Sequence, residues 1–368
     1  MRKSDKDSCG NDVYVLGENG LMDFNPNIDF YEWEDYVNTS FRDLILKDSY
    51  NVPEYPISYL NDALLGIDRS ELIVIGADTG IGKTALANDI AMFNAEKGKN
   101  VYLFSLEGDT FDVVNRERYK LFCDFIKKSD RRDIELDYRK FVMNRYDVDI
   151  TLIIKNEIDE ILKRKYRTLK VYGGHNKSGI SIDRLCSHLD MLEGTPDLIV
   201  IDHLQYFNFM SNNEHSEITE MLKKIQEKKK QYRVPIVLVS HLRKKGKDRG
   251  FPENDDFHGS SNIAKQADTC IILSHVNFDD ENTYEKQISN GIYQTGIRIT
   301  KSRTGLSQRI IGVVNFNLEK RKYEKEYSLA IAMPMGVKKM ELENYPRWAK
   351  KIKNCTDFKR KDKNVYNN

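Results

Sequence analysis

The residue types best suited to chemistry lie in one glycine-containing segment, Ala77-Asp78-Thr79-Gly80-Ile81-Gly82-Lys83-Thr84. It follows the apolar run at 72–75 and precedes a helical pattern of apolar residues. Glycines let consecutive backbone N–H groups curl around an anion, and the N-terminus of the following helix adds partial positive charge there. Strand, glycine loop and helix in this order predict a phosphate-binding loop, with Ala77 in place of the usual first glycine. The alternative is an ordinary strand-turn-helix corner.

A phosphate-binding loop of this kind assigns a role to each of its polar residues. Lys83 is expected to reach the β- and γ-phosphates of a nucleotide, and the Thr84 hydroxyl is expected to bind Mg²⁺. ATP and Mg²⁺ are therefore the cofactors that we expect. The residues expected to bind the nucleotide are Asp78, Thr79, Gly80, Ile81, Gly82, Lys83, Thr84 and Ala85.

Two carboxylates follow other apolar runs and complete the pattern of an ATPase. Asp202 ends the run at 198–202 and is expected to orient the metal. Glu107 follows the run at 101–105, the first strand after the phosphate loop. Ligands lie outside the carboxyl ends of strands in open α/β sheets, so Glu107 is expected to orient and polarise the attacking water. The alternatives are a strand-end Asp that caps a loop and a surface Glu.

A further apolar run, at 234–240, ends in a histidine and a basic segment. His241 is expected to hydrogen-bond the γ-phosphate and to report its loss to the residues that follow. Five cations occur there within seven residues: Arg243, Lys244, Lys245, Lys247 and Arg249. They are expected to neutralise the backbone phosphates of a nucleic acid. A solvated charged loop is the alternative.

Lys301 and Arg303 form a second group of cations. They are two residues apart, so on an extended strand both side chains point the same way. Such a pair is expected to enter the nucleotide site of a neighbouring subunit as an arginine finger, which requires a ring or a filament. A pair of exposed charges at a strand end is the alternative.

Composition limits the class of protein. The 368 residues include 58 Lys and Arg and 57 Asp and Glu, so no global field attracts the chain to nucleic acid or membrane, and local patches must do so. The five cysteines are scattered singly, without the spacing of a zinc site or a disulfide scaffold. The charged N-terminus leads into no apolar segment. We therefore expect a cytoplasmic protein without membrane association.

The pattern of apolar runs predicts an α/β fold. The runs are apolar on both faces and alternate with helical patterns, which indicates a central, mostly parallel sheet flanked by helices. Residues 111–167 are expected to form peripheral helices. We expect three parts: an N-terminal arm or linker at 1–54, an ATPase domain at 55–330 and a basic C-terminal tail at 331–368. The runs are 72–77, 101–105, 169–172, 198–202, 236–240, 270–273 and 297–300.

Taken together, these motifs resemble the RecA-like motor domain of DnaB-family replicative helicases over about residues 55–320. Ser105-Leu106-Glu107 is similar to the family's catalytic glutamate segment, and the stretch from Asp197 to Gln205 is similar to its metal-carboxylate strand. Asp202-His203 and Ser240-His241-Leu242 look more like phage primase-helicases and mitochondrial Twinkle. Gly259-Ser260-Ser261 is similar to the segment after the family's DNA-binding loop.

The resemblance implies a RecA-like P-loop ATPase that works as a DNA helicase in replication. It implies a hexameric ring that hydrolyses ATP at subunit interfaces and moves single-stranded DNA, with a primase, helicase loader or polymerase as further partners. A phage origin would place the protein in the host cytoplasm. The catalytic residues implied are Lys83, Glu107, His241, Lys301 and Arg303, the metal residues are Thr84 and Asp202, and Ser260 joins the five cations of 243–249 on DNA.

The chain departs from this family in what accompanies the motor. It shows no helical N-terminal domain of DnaB size and no cysteine set for a primase zinc module, so primase activity is not expected. The arm at 1–54 is expected to be a linker that grips the adjacent protomer. Two other functions stay open: a RecA- or RadA-type recombination ATPase, and a KaiC-like assembly protein that ATP controls without strand movement. Duplex unwinding separates a helicase from both.

Overall fold

A computed structural model describes the chain from residue 52 onward. Residues 1–51, most of the expected N-terminal arm, lie outside the described residues. The described residues are 52–129, 131, 133–173, 180–192, 194–207, 214–243, 250–258, 262–276, 278, 291–303, 309–350, 352–356 and 358.

The described residues form one ten-stranded sheet in the order β10-β9-β8-β7-β6-β1-β5-β4-β2-β3. The strands β6, β1, β5, β4, β2 and β3 run parallel to one another, and β7 to β10 are antiparallel. In chain order the strands are Leu72–Ala77, Val101–Ser105, Leu169–Gly173, Leu198–Asp202, Ile236–His241, Thr269–His275, Ile292–Lys301, Ile310–Asn317, Lys322–Met333 and Gly336–Lys339.

Helices pack on both faces of this sheet. The α-helices of the described residues, α1 to α9 in chain order, are Ser58–Leu64, Lys83–Glu96, Thr110–Lys128, Tyr138–Val142, Val148–Ile153, Asp159–Lys165, Ile182–Asp190, Glu214–Tyr232 and Asn262–Gln266. A π-helical turn, Ile154–Ile158, joins α5 to α6. No helix among the described residues has both the length and the apolar character needed to span a bilayer.

The central strands are apolar on both faces because each face packs against its own core. In β1, Leu72 and Val74 belong to one core, whereas Ile73 and Ile75 belong to the other. All six residues of β1 are buried, which is the burial expected of a parallel strand covered by helices on both sides. The α/β fold with a central, mostly parallel sheet is therefore confirmed.

One of the seven expected strands has a direction that the sequence did not predict. The run at 297–300 lies in β7, which pairs antiparallel with β6. An apolar run indicates burial but carries no information on strand direction, since the connection between two strands sets it. Strands β8, β9 and β10 continue this antiparallel wing beyond the expected runs.

Part of the segment expected as a basic tail belongs to the sheet. Residues 331–333 end β9, and β10 pairs with β9 through Val337 and Lys339. Further along, the Tyr345 hydroxyl accepts a hydrogen bond from Leu329 N, and Thr356 N donates to Tyr327 O. These contacts bind Tyr345 and Thr356 to β9.

The sheet opens between two neighbouring strands at its carboxyl edge. Strands β4 and β5 pair only as far as Ile201 and Leu238. Beyond that point β5 continues beside β1, where Ala77 pairs with His241, and β4 continues beside β2, where Ser105 pairs with Asp202. The expected site residues at the ends of β1, β2, β4 and β5 therefore lie on both sides of one opening, whereas Lys301 pairs with Cys270 near the start of β6, at the other edge of the sheet.

Candidate nucleotide-binding site

The phosphate-binding loop occupies residues 78–82, between β1 and α2. Gly80 and Gly82 have φ angles of 87° and 99°, a backbone region that glycine adopts at low cost. Ala77 needs no such freedom, because it is the buried last residue of β1 and pairs with neighbouring strands on both sides. The departure from the usual first glycine is therefore compatible with the loop. Of the expected nucleotide-binding residues, Lys83, Thr84 and Ala85 form the first turn of α2, and the others lie in the loop or next to it.

Tyr323 of β9 holds the loop from the antiparallel wing. Its hydroxyl donates a hydrogen bond to Ile81 O at 3.2 Å. A Cβ atom on Gly82 would lie 2.6 Å from that hydroxyl, so both the positive φ and the close contact require glycine there. The sequence did not indicate Tyr323, because the strand that carries it was not predicted.

Lys83 is the buried cation of the site. It is 5% exposed and begins α2 directly after the loop. Burial lowers the pKa of Lys83, while the negative charges of Glu107 and Asp202 oppose this effect. A lysine in this environment lacks the water that would otherwise solvate it, so the phosphates of a nucleotide are a suitable partner.

Asp202 is the buried carboxylate of the site. It is 1% exposed, and neither of its oxygens has a hydrogen-bond partner among the described residues. Burial raises the pKa of Asp202, and the nearby His203 ring and Thr84 hydroxyl oppose the rise. The Thr84 hydroxyl is thus close to the carboxylate, although the two do not form a well-aligned hydrogen bond.

These two residues fit the requirements of Mg²⁺. Buried carboxylates are normally paired or bound to a metal, so a cation would stabilise the unpartnered oxygens of Asp202. Mg²⁺ at a nucleotide is held by one or two protein oxygens, with phosphates and water supplying the rest. The absence of a cluster of three or more His, Cys, Asp or Glu among the described residues is compatible with that mode of binding. Thr84 and Asp202 would therefore hold the ion.

Glu107 lies on the loop after β2, next to β4. Its backbone neighbour Leu106 donates a hydrogen bond to Asp202 O at 2.6 Å. Glu107 Oε2 is 3.1 Å from His203 Nε2, an ion-pair distance without the alignment of a hydrogen bond. The interaction with the His203 ring lowers the pKa of Glu107, burial opposes this, and the charge of Lys83 adds to the lowering. Glu107 is therefore held as a carboxylate, the form that can accept a proton from water.

His241 ends β5 on the other side of the opening. Its ring packs edge to face against the His203 ring, with centroids 4.5 Å apart. Burial lowers the pKa of His241 from 6.5 to about 4, and the positive charge of Lys83 adds to the effect. A neutral imidazole can donate one hydrogen bond and accept another, which suits an approach to a phosphate oxygen.

The segment after His241 was expected to bind nucleic acid, and only its first residue is described. Arg243 is exposed, and its backbone N–H donates to Asp256 O at 2.7 Å. His258 N donates to His241 O at 2.9 Å, so the end of β5 is braced by a neighbouring segment. Four of the expected cations, Lys244, Lys245, Lys247 and Arg249, and also Ser260, lie outside the described residues.

Lys301 ends β7 and Arg303 lies two residues beyond it, and the two side chains make different contacts. The Lys301 ammonium donates to the carbonyls of Ala264, Lys265 and Ala267, at the C-terminus of α9. Cations stabilise that end of a helix, so these contacts favour a structural role for Lys301 within its own chain. Arg303 is 65% exposed and forms a 2.9 Å ion pair with Asp268.

Asp268 is a contact of Arg303 that the sequence did not indicate as part of the site. It is almost fully buried and also accepts hydrogen bonds from Lys229 Nζ and from Leu72 N. The carboxylate thereby fixes the start of β1, the end of α8 and the Arg303 side chain. Its place directly before β6 is a weak signal in sequence, because any loop Asp gives the same pattern.

The sequence that carries this site matches a known family. Residues 56–325 match the family model described as DnaB-like helicase C terminal domain. The chain belongs to that family. The match spans β1 to β8 and the start of β9, and therefore includes every site residue described above.

Relatives with curated names are similar to this chain over part of their length. The replicative DNA helicase DnaB of Mycoplasma pneumoniae is 27% identical over 272 residues, which cover 70% of this chain and 53% of that protein. A probable plasmid replicative DNA helicase of Chlamydia psittaci is 24% identical over 305 residues, covering 80% and 59%. The chain spans about half the length of the curated relatives it matches.

Two solved structures share the fold. One, described as an ATPase domain, has a TM-score of 0.57 at 18% identity, covering 80% of this chain and 99% of that chain. The structure described as "The Structure Of A DnaB-Like Replicative Helicase And Its Interactions With Primase" has a TM-score of 0.55 at 19% identity, covering 81% and 68%. The RecA-like fold expected from the motifs is therefore confirmed.

The positions of Lys83 and Glu107 predict different defects. Lys83→Ala should abolish nucleotide binding, because it removes the buried cation that is expected to contact the phosphates. Glu107→Gln should bind ATP like the parent protein and hydrolyse it about 100-fold more slowly or worse, because the amide cannot take a proton from water. Equilibrium binding of a fluorescent ATP analogue and a phosphate-release assay measure the two effects. Normal turnover by Glu107→Gln would remove this residue from the mechanism.

The burial of His241 predicts a pH dependence of stability. Between pH 6.5 and about 4 the unfolded chain binds a proton at this residue that the folded chain excludes, so the free energy of unfolding falls as the pH falls through this range. His241→Gln should lessen that fall, and thermal unfolding at a series of pH values measures it. Above pH 6.5 the two curves should run parallel. Equal slopes over the whole range would show that His241 is not held neutral by the fold.

Proposed function

We propose that this chain is the motor of an ATP-dependent replicative DNA helicase. The observation that supports this most is the convergence of Lys83, Asp202, Glu107 and His241 at one edge of the sheet, in a chain of the DnaB-like helicase C-terminal domain family. Relatives of this chain are named replicative DNA helicases. The cytoplasm is the proposed location.

The proposed hydrolysis depends on how each side chain is held. The loop at 78–82 and Lys83 bind the β- and γ-phosphates, since backbone N–H groups and a helix N-terminus surround the same point. Mg²⁺, bound by Thr84 and Asp202, would neutralise charge that develops on the phosphates. Glu107 orients a water molecule for attack on the γ-phosphate and accepts its proton. His241, at the end of the neighbouring strand, donates a hydrogen bond to the γ-phosphate.

The proposed DNA contact begins at Arg243, two residues beyond His241. A change in the γ-phosphate would act on His241, whose strand leads directly into the basic segment at 243–249. With a net charge of +1 for the whole chain, binding to single-stranded DNA has to come from such local cations. Arg243, Lys244, Lys245, Lys247, Arg249 and Ser260 are the proposed DNA-binding residues.

The proposed assembly is a homohexameric ring with the nucleotide between subunits. Arg303 supports this proposal, because its guanidinium is exposed at the end of β7 and is oriented by Asp268. We propose that Arg303 enters the nucleotide site of the neighbouring subunit, that Lys301 holds the strand end behind it, and that residues 1–54 grip the adjacent protomer. A primase, a helicase loader or a polymerase are the further partners proposed.

The rate of ATP hydrolysis with and without single-stranded DNA tests this function, together with the mass of the protein in solution with ATP and Mg²⁺. Stimulation by DNA and the mass of a hexamer are the expected results. A rate that DNA does not change would contradict the helicase and favour an assembly protein gated by the nucleotide. A filament that coats DNA would favour a recombination ATPase.

Arg303→Ala tests whether the guanidinium acts across a subunit boundary. The variant should bind ATP almost normally and lose about 1,000-fold in hydrolysis in the assembled state, because a trans-acting arginine stabilises the transferring phosphoryl group. Mixing it with Lys83→Ala should restore part of the activity, since a Lys83→Ala subunit still offers Arg303 to its neighbour's intact site. Failure to restore activity at every mixing ratio would contradict action in trans.

A further inference from the structure

The opening between β4 and β5 is bridged by the side chain of Gln205. The residue lies in a 3₁₀ turn, Leu204–Tyr206, that follows β4. Its Oε1 accepts a hydrogen bond from His241 N at 3.2 Å, and its Nε2 donates to Ser240 Oγ at 3.2 Å. Backbone pairing between these strands has already ended at Ile201 and Leu238. The Gln205 amide therefore replaces the missing backbone hydrogen bonds at the level of the site.

Gln205 also holds the His203 ring. Its Oε1 lies 3.0 Å from His203 Nδ1, and its backbone N–H lies 3.3 Å from the same nitrogen. The carbonyl oxygen accepts when Nδ1 carries a proton, and the backbone N–H donates when it does not. Gln205 can therefore fix the orientation of the ring in either tautomer.

The fixed ring presents its other nitrogen to the proposed water-orienting carboxylate. His203 Nε2 is 3.1 Å from Glu107 Oε2, and His203 itself is 1% exposed. The Glu107 side chain, by contrast, is 43% exposed and lies on a loop. A half-exposed Glu can adopt several rotamers, so the buried histidine is the group that restricts the carboxylate to one position.

We propose that His203 and Gln205 are positioning residues that hold the Glu107 carboxylate in a fixed relation to His241 and the γ-phosphate. This inference rests on the proposed function, because it assigns the two residues a part in ATP hydrolysis through Glu107. Neither residue needs to touch the nucleotide. Gln205 binds both the His203 ring and the end of β5. A displacement of β4 or β5 at the opening would therefore move the His203 ring, and with it the Glu107 carboxylate.

Gln205→Leu is the informative variant, since leucine removes the amide and keeps similar bulk at a partly exposed position. Single-turnover hydrolysis of saturating ATP with Mg²⁺ should slow about tenfold, because misplacing a catalytic group by a fraction of an ångström has effects of this order. The dissociation constant for ATP should stay within about twofold, since Lys83 and the phosphate loop are unchanged. His203 is left intact because its deep burial would endanger folding.

The same substitution in a Glu107→Gln background separates positioning from general damage. The part of the loss that acts through Glu107 should be absent there, so the loss should be smaller than in the protein with Glu107 intact, because effects of residues that act as a unit are not additive. Gln226→Leu is the matched control. Gln226 lies in α8 and is also partly buried. Its substitution by leucine removes one hydrogen bond between helices, from Gln226 Nε2 to Gln266 O at the end of α9. The Gln226→Leu variant should hydrolyse ATP at the same rate as the parent protein.

Three results would overturn the inference while the proposed function survives. The first is an unchanged rate in Gln205→Leu. The second is a loss from Gln205→Leu that is equal with Glu107 intact and with Glu107→Gln. The third is a loss in Gln226→Leu as large as that in Gln205→Leu. A parent protein that hydrolyses no ATP would overturn the proposed function itself and the inference with it. The positioning role is supported by a tenfold loss in the protein with Glu107 intact, a smaller loss in the Glu107→Gln protein, and an unchanged affinity for ATP.

Discussion

Strands β4 and β5 stop pairing at Ile201 and Leu238, and the site depends on the opening that results. Parallel pairing on either side brings His241 level with Ala77 and Asp202 level with Ser105. The phosphate loop, His241, the buried carboxylate and the Glu107 loop thus reach one place from four strands. Hydrogen bonds along the sheet set these positions, so rigid elements carry the groups that have to be aligned for catalysis.

The charges in this opening are balanced in a way that favours a bound nucleotide. Burial lowers the pKa of Lys83 and raises the pKa of Asp202, so both charged forms are destabilised without a partner. Triphosphate oxygens would partner the lysine, and a divalent cation would partner the carboxylate. Binding of both together would relieve the two desolvation costs.

The antiparallel wing braces the site from the side opposite to β4. Tyr323 in β9 bonds to Ile81 O and closes over Gly82, and Lys301 at the end of β7 holds the C-terminus of α9. Asp268 joins Leu72 N at the start of β1 to Lys229 and Arg303. The wing therefore helps to position the phosphate loop at the end of β1, whereas Arg303 lies beside the start of β1, at the other edge of the sheet.

The sequence predicted those parts of the fold that depend on burial alone. The expected bounds of β1, β2 and β4 agree with the structure, because strands buried on both faces are apolar at nearly every position. Strand β9 was not predicted, since its first half alternates with charged residues such as Lys322 and Glu324. For the site, residue types at strand ends indicated Lys83, Asp202, Glu107 and His241.

Contacts between residues that are distant in the chain could not be predicted from the sequence. Tyr323 meets Gly82 across more than 200 positions, and no local pattern encodes such a contact. Gln205 bridges to Ser240 only because β4 and β5 separate at a particular level. Lys301 and Arg303 look alike in the sequence, yet one contacts carbonyls of its own chain and the other is exposed at a buried carboxylate. The sequence pattern shows which type of side chain stands at a position, and the packing of the fold determines which residue that side chain contacts.

The most direct test of the nucleotide site is an experimental structure of the full chain with Mg²⁺ and a non-hydrolysable ATP analogue. We expect the γ-phosphate beside Lys83 and His241, the metal between Thr84 and Asp202, and the Glu107 carboxylate facing the γ-phosphate from the side opposite the leaving group. A nucleotide bound away from the opening between β4 and β5, or a metal without contact to Asp202, would contradict the proposed site.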